Sequence, residues 1–444
     1  MENPLWYDVM VTANEISMGI RGKKTDREIK LTPHQKNLYF SGLRKWGFAT
    51  TRLKRFCKSS PPLEIVAVLA ISCFLLLDKR YSKFTIVDQC VEAAKKMNGS
   101  KIAALVNFIL RKTAPLGSDV IEDSEKEESV CNAPSWWINK VRHQLKMREN
   151  LVWSAAKFQP PLTLRISRPS EFLSLVEDNL LKMGKKIIKQ ENSIITVIPP
   201  FDICKTELFS KGIVSIQDYN AQKLVDFIKI KPNMSVLDAC AAPGGKTFSL
   251  ALKFDKIKLV SNDVSKKRLE LLEHDLLRLG HLLKSTPKLM AADLTKDSDL
   301  KQLKSFTFDG YDLIVLDAPC SGSGVVRRHP EIPWSRTPRQ LTNLQNQQSK
   351  ILESCWYLLK NKGVLVYCVC SIFSDEGENQ ILNFIEKNKN AVRMTAPGLL
   401  LPSVGKSSSP YEFLVGANLS RKEELFLGKD GFFYAQIKKE DGHY

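Results

Sequence analysis

The sequence predicts two domains of different class. An all-helical domain covers residues 1–115, and an α/β domain with a mostly parallel sheet covers 216–444. Three observations lead there. Apolar residues before position 113 recur at three and four residues, with no strand-like alternation between them. From about 216, short β-branched runs alternate with helical stretches, the rhythm of repeated βα units. Between the two lies TAPLGSDVIEDSEKEESV (113–130), with one Lys against six acids, which reads as an exposed linker.

The elements follow in order. Leu63, Val66, Leu69, Ala70, Cys73 and Leu77 form one helical stripe after Pro61-Pro62. Ile86, Cys90, Ala93, Ala94 and Met97 form a second, ending near Asn98-Gly99, and Val106, Phe108, Ile109 and Leu110 close a third. Residues 116–132 are the predicted acidic linker, and 133–215 a small mixed α/β subdomain. In it Trp136 and Trp137 open a helix, and strands follow near 161–167 and 194–198. Beyond 216, strands are predicted at 235–237, 258–261, 288–291, 313–316 and 364–367, with helices such as 265–279 and 345–359 between them.

Composition narrows the classes. The chain has 444 residues, with 66 Lys+Arg against 48 Asp+Glu, a formal net charge of +18. A polyanion is the partner this favours. Residues 1–112 carry +11 of that excess. The longest apolar run, 65–77, has 13 residues, short of the roughly 20 that a membrane helix needs. The start, MENPLWYDVM, lacks a secretory pattern. The ten Cys include no CxxC pair and the six His are scattered, so no metal site is expected. A cytoplasmic protein with reduced thiols, monomeric and without a membrane partner, is the expectation.

Ligands of open α/β sheets sit outside the carboxyl ends of the strands. Those ends carry the unusual residues here. After the first strand comes Asp238-Ala-Cys-Ala-Ala-Pro-Gly-Gly-Lys-Thr247, then Asn262-Asp263, Ala292-Asp293, Asp317-Ala-Pro-Cys-Ser-Gly-Ser-Gly324 and Cys368-Val-Cys-Ser371. The first loop is no P-loop, because Cys240 stands where a Gly is required, and no GxGxxG occurs in it. What remains is a tight small-residue turn into a helix N-terminus, which suits a carboxylate. Asp263 is placed to grip a ribose diol and Asp293 to reach an adenine amino group. A carboxylate, a ribose and an adenine together describe S-adenosylmethionine.

Cys320 and Cys370 follow strand ends that should be neighbours. A thiol beside a methyl donor suggests methylation at carbon 5 of cytosine. A thiolate added to carbon 6 makes carbon 5 nucleophilic, and a base then removes the carbon 5 proton so that the thiolate leaves. An ordinary thiol is only a few per cent ionised at neutral pH, and a cation such as Lys246 would raise that fraction. Asp317 is placed to accept from the cytosine amino group. Either cysteine satisfies this chemistry as the nucleophile. Arg327, Arg328, Lys185, Lys186, Lys266 and Lys267 are candidate phosphate contacts.

VLDACAAPGGKT (236–247), SNDVSKKRLELL (261–272), LDAPCSGSGVVRRHPEI (316–332), YCVCSIFSDEGENQ (367–380), DGFFYAQI (430–437) and SIQDYNAQ (215–222) together resemble the RNA cytosine-5 methyltransferases of the Nop2/Sun family. VDQCVEAAKKMNGSKIAALVNFILRK (87–112) and SWWINKVRHQL (135–145) are similar to the NusB-like helical domain and following segment of bacterial members of the RsmB (Sun) type. The resemblance implies a Rossmann-like, S-adenosylmethionine-dependent methyltransferase domain and a cytosine of 16S ribosomal RNA as target. By position it puts the nucleophile on Cys370 and the cysteine assisting product release on Cys320. It puts the cofactor set on Cys240, Ala241, Ala242, Pro243, Gly244, Gly245, Lys246, Asp263, Arg268, Asp293 and Asp317. The chain departs from the family at Val369 and Ser323, where Thr is usual, at Asp275, where Asn is usual, and at Phe84-Thr85-Ile86, which replaces a usual Pro-His. The competing readings are the same chemistry on transfer RNA, or a non-catalytic ribosomal RNA-binding assembly factor. The intact cofactor loop, cysteines and acids speak against the latter.

Overall fold

The computed structural model describes residues 3–23, 30–78, 80–114, 126–190, 194–405, 412–415 and 427–441. The chain divides into two compact units, Met1–Lys157 with Val326–Pro338, and Phe158–Val325 with Arg339–Tyr444.

The first unit is helical. Its main helices are Leu5–Ile20, Pro33–Leu43, Trp46–Phe56, Leu63–Leu77 and Lys83–Thr113. Leu63–Leu77 packs against the other four, and Ile65 to Cys73 are buried without a break. That accounts for the 13-residue apolar run: a helix covered on all sides needs no polar face. Lys83–Thr113 is interrupted at Gly99, whose φ of 79° lies in the left-handed region, matching the break read at Asn98-Gly99. Thr32 closes a capping box with Gln35 at the start of Pro33–Leu43. No described helix is long and apolar enough to cross a membrane.

The boundaries differ from those predicted. Of the acidic linker, 116–125 lie outside the described residues. Its end, 126–132, is structured: Glu127–Val130 is a short helix, Gly47 N donates to Asn132 Oδ1 at 2.7 Å, and a Cβ at Gly47 would overlap the Glu128 carbonyl. Ser135–Leu145 and Glu149–Ala156, assigned by sequence to the mixed subdomain, belong to the helical unit. So does 326–338, from within the predicted catalytic domain. Its helix Ile332–Ser335 lies against Leu5–Ile20, and the Trp334 indole donates to Asn132 O at 2.8 Å. A short excursion that buries an aromatic in another unit leaves no mark in a periodicity reading.

The second unit holds two sheets. The smaller is built from β1 (Leu162–Ile166), β2 (Lys186–Gln190), β3 (Ile194–Ile198), β4 (Val214–Ile216) and β11 (Glu412–Val415), in the order β11-β2-β3-β1-β4, antiparallel throughout. The larger contains β5 (Ser235–Asp238), β6 (Lys258–Asn262), β7 (Lys288–Met290), β8 (Tyr311–Asp317), β9 (Leu359–Val369), β10 (Ala391–Leu400) and β12 (Phe432–Lys439), in the order β10-β12-β9-β8-β5-β6-β7. β7 to β9 along that order pair in parallel, while β12 pairs antiparallel with both β9 and β10. The mostly parallel, Rossmann-like sheet of the sequence reading is therefore present, with an antiparallel edge added. β8 shows why its run is continuously apolar. Ile314 and Leu316 enter one core cluster and Leu313 and Val315 another, so both faces are covered.

β5 lies between β6 and β8. The chain runs outward from β5 to β6 and β7, then crosses to β8 and β9 on the other side. Such a switch point opens a crevice outside the strand ends.

Candidate active site at the sheet's switch point

The loop after β5 is a tight turn into the helix Gly245–Lys253. Gly244 holds φ at 109°, and a Cβ there would press on the Phe248 ring. Only glycine fits, and its backbone is left open to close approach. Asp238, at the end of β5, is fully buried. Its Oδ2 accepts from Thr247 Oγ1 at 2.7 Å, and Oδ1 has no donor. Burial raises its pKa to about 7, partly offset by Thr247. Cys240 is packed at the edge of the core, and burial pushes its thiol up.

The next two strand ends are joined by Asn262, which sequence reading passed over. Its amide donates to Ala239 O and Ala292 O at 3.0 and 3.1 Å, and its Oδ1 accepts from Ala292 N at 2.9 Å. One side chain thus ties the ends of β5, β6 and β7 together. Asp263 is 2% exposed and accepts from Ala242 N at 3.2 Å and Ser265 N at 3.0 Å. Arg268 lies over it at 3.3 Å and also bonds the Ala242 carbonyl. Asp293 is half-buried beyond. Hydrogen bonds from Thr295 hold its carboxyl below the usual range, and Lys296 stands 3.8 Å away.

Across the crevice, Asp317 ends β8. Lys246 Nζ meets its Oδ2 at 2.6 Å and lies 4.5 Å from the centre of the Phe432 ring. Burial is the largest single influence and disfavours the Lys246 charge, but Asp317 together with the neighbouring Cys368 and Cys370 outweighs it and the net shift is upward. Lys246 is therefore a partner of Asp317 first, and reaches Cys370 only through its field. Cys368, buried one residue inside the end of β9, donates to Asp317 Oδ1 at 3.7 Å.

The two cysteines meet. Cys320 Sγ and Cys370 Sγ are 3.3 Å apart, both partly exposed. The hydrogen bond with Cys370, and then burial, push the Cys320 thiol well above its ordinary range. Behind them lies Glu376, fully buried, which sequence reading quoted within a motif without assigning it a role. Among the described residues, no group of three His, Cys, Asp or Glu side chains is placed to hold a metal.

The candidate phosphate contacts separate. Lys266 and Lys267 are exposed, and Lys185 and Lys186 are half-buried, Lys185 over the Phe201 ring at 4.7 Å. Arg327 is 2% exposed within the helical unit, where its carbonyl accepts from Arg44 Nη2 at 2.9 Å. It is a packing residue and not a surface cation, because the excursion at 326–338 carries it inward.

Residues 225–438 match the family described as 16S rRNA methyltransferase RsmB/F. Among curated proteins, the chain is similar to a ribosomal RNA small subunit methyltransferase B from Pasteurella multocida, with 29% identity over 84% of this chain and 79% of that one. The crystal structure of PH0851 shares the fold at a TM-score of 0.75 and 21% identity, covering 99% of each chain. NSun6 from Pyrococcus horikoshii, solved with the S-adenosylmethionine analogue SFG, shares it at a TM-score of 0.55 and 18% identity, covering 70% of this chain and 99% of that one.

Proposed function

The module at 225–438 belongs to the RsmB/F methyltransferase family, and on that premise we propose that the chain methylates carbon 5 of a cytosine in 16S ribosomal RNA. S-adenosylmethionine, the cofactor of such enzymes, supplies an electrophilic methyl group when bound. The crevice fits it. The open backbone at Gly244-Gly245 and the N-terminus of Gly245–Lys253 suit its carboxylate. Asp263, with Arg268 moved aside, suits a ribose diol, and Asp293 an adenine amino group.

The observation that carries the reading is the thiol pair. Two cysteines on neighbouring strand ends, 3.3 Å apart, stand beside the Asp317–Lys246 pair. Cys370 is the nucleophile: as thiolate, its proton lost to solvent, it bonds carbon 6 of the ring, and carbon 5 becomes able to take the methyl group. The resemblance of 367–380 to the family's motif supports this assignment over its reverse. Cys320, as thiolate after losing its own proton to solvent, takes the carbon 5 proton and afterwards releases it to solvent. The carbon–sulfur bond then breaks, and Cys370 leaves as thiolate. Asp317 accepts from the cytosine amino group, held in place by Lys246. The base must leave any stack to meet the thiol, so a loop or single-stranded target is favoured.

Bisulfite sequencing of RNA from a deletion strain tests the substrate. Loss of one protected cytosine in 16S ribosomal RNA is expected. Unchanged ribosomal RNA with a lost transfer RNA signal would favour the transfer RNA reading.

A further inference from the structure

We infer that Glu376 is a positioning residue that fixes the distance between the two thiols. The inference rests on the proposed roles of Cys320 and Cys370. Glu376 has no exposed surface, and four donors converge on its two oxygens. Oε1 accepts from Ser321 N at 2.7 Å and Gln348 Nε2 at 3.1 Å. Oε2 accepts from Ser371 Oγ at 2.6 Å and from Ser321 Oγ. Ser321 directly follows Cys320, and Ser371 directly follows Cys370. One carboxylate therefore grips the residue next to each thiol, in loops 50 residues apart in sequence.

The anchor is itself held. The Tyr367 hydroxyl donates to the Glu376 carbonyl at 2.6 Å, and Gln348 also donates to Pro319 O at 2.8 Å. Other ties run between the loops: Ser323 Oγ lies 2.8 Å from Ser371 Oγ and accepts from Ile372 N at 2.9 Å, and Gly324 N donates to Cys370 O at 3.0 Å. These lie beyond Ser321, on the far side of the turn from Cys320. The Glu376 carboxylate itself bonds the residues adjacent to both sulfurs. A carboxylate suits the task because it accepts on all sides. Glutamine would turn an amino group toward one pair of donors. Facing the serine hydroxyls, which can also accept, it keeps the grip in part.

The consequence is for chemistry more than for binding. Cys320 must reach the carbon 5 proton while Cys370 holds carbon 6, and a displacement of about 1 Å can cost on the order of 100-fold in rate.

The test has two arms on the full chain, Glu376→Ala against wild type, with Glu376→Gln as the conservative variant. The first arm is phenylarsine oxide, which condenses with two adjacent thiols, forming two arsenic–sulfur bonds and releasing water. This arm reads thiol spacing without RNA or cofactor. The second arm is steady-state methylation. The expected result is that Glu376→Ala loses arsenical affinity at least about 10-fold and kcat by about 10- to 100-fold. KM for RNA and S-adenosylmethionine affinity should stay within about 2-fold, and Glu376→Gln should recover part of both losses. If Glu376→Ala does not fold, Ser371→Ala, which removes one donor, should show smaller losses in both arms. Unchanged arsenical affinity in a folded variant, with or without a fall in kcat, would overturn the inference. Failure of wild type to methylate cytosine would instead sink the proposed function, and the arsenical arm would still decide the positioning.

Discussion

Asp238→Asn isolates the electrostatic cost of a carboxyl at the end of β5. The group is fully buried, with one oxygen bonded to Thr247 and the other without a donor. Burial, opposed by Thr247 and reinforced by Asp317, moves its pKa from 3.8 to about 7. An acid whose folded value is raised binds more protons folded than unfolded. Its contribution to stability is whole below about pH 4 and is lost as pH rises through about 7. Between about pH 5 and pH 8.5, roughly two pH units of that interval are crossed, at about 1.4 kcal/mol each. Asparagine keeps the shape and cannot ionise. Relative to wild type, the variant should therefore gain roughly 2–3 kcal/mol of stability over that range. Urea denaturation followed by tryptophan fluorescence at the two pH values measures it. Parallel stabilities, with a gap that changes by less than about 0.5 kcal/mol, would refute the assignment of an uncompensated carboxyl.

Three further outcomes are expected. Cys370→Ala should abolish methyl transfer in a radiolabelled-methyl assay while calorimetry finds S-adenosylmethionine affinity near normal; residual turnover would remove Cys370 as nucleophile. Gly244→Ala combines a left-handed φ with contact on Phe248, and should cost about 2 kcal/mol of stability and weaken cofactor binding at least about 10-fold, read by thermal melting and calorimetry. RNA affinity should fall steeply and linearly with the logarithm of salt concentration, with a slope set by the phosphates engaged; a flat dependence would mean that the +18 charge is not used on RNA.

The catalytic sheet was largely legible in the sequence. β5 to β9 each end in chemistry-bearing residues, and the apolar runs of buried parallel strands stand out. The thiol pair was legible too, because consecutive strands in a βα series put their ends side by side. Long-range pairings were not. β11 joins β2 across more than 200 residues, and β12 inserts between β9 and β10; neither has a local signal that names its partner. Arg327 reads as a surface cation in sequence, whereas the excursion at 326–338 buries it. Glu376 was invisible for a related reason. Its meaning depends on Ser321, brought to it from 55 residues away. Asn262 was passed over because an Asn beside an Asp at a strand end reads as a turn, whereas its amide bridges three strand ends.

The proposed reaction passes through a covalent enzyme–RNA intermediate on Cys370 that Cys320 resolves. Cys320→Ala incubated with S-adenosylmethionine and target RNA tests it on a denaturing gel. The expected result is a slow-migrating protein–RNA band, with mass spectrometry placing a methylated cytosine on the peptide containing Cys370. Normal turnover without that band, or an adduct on any other residue, would contradict it.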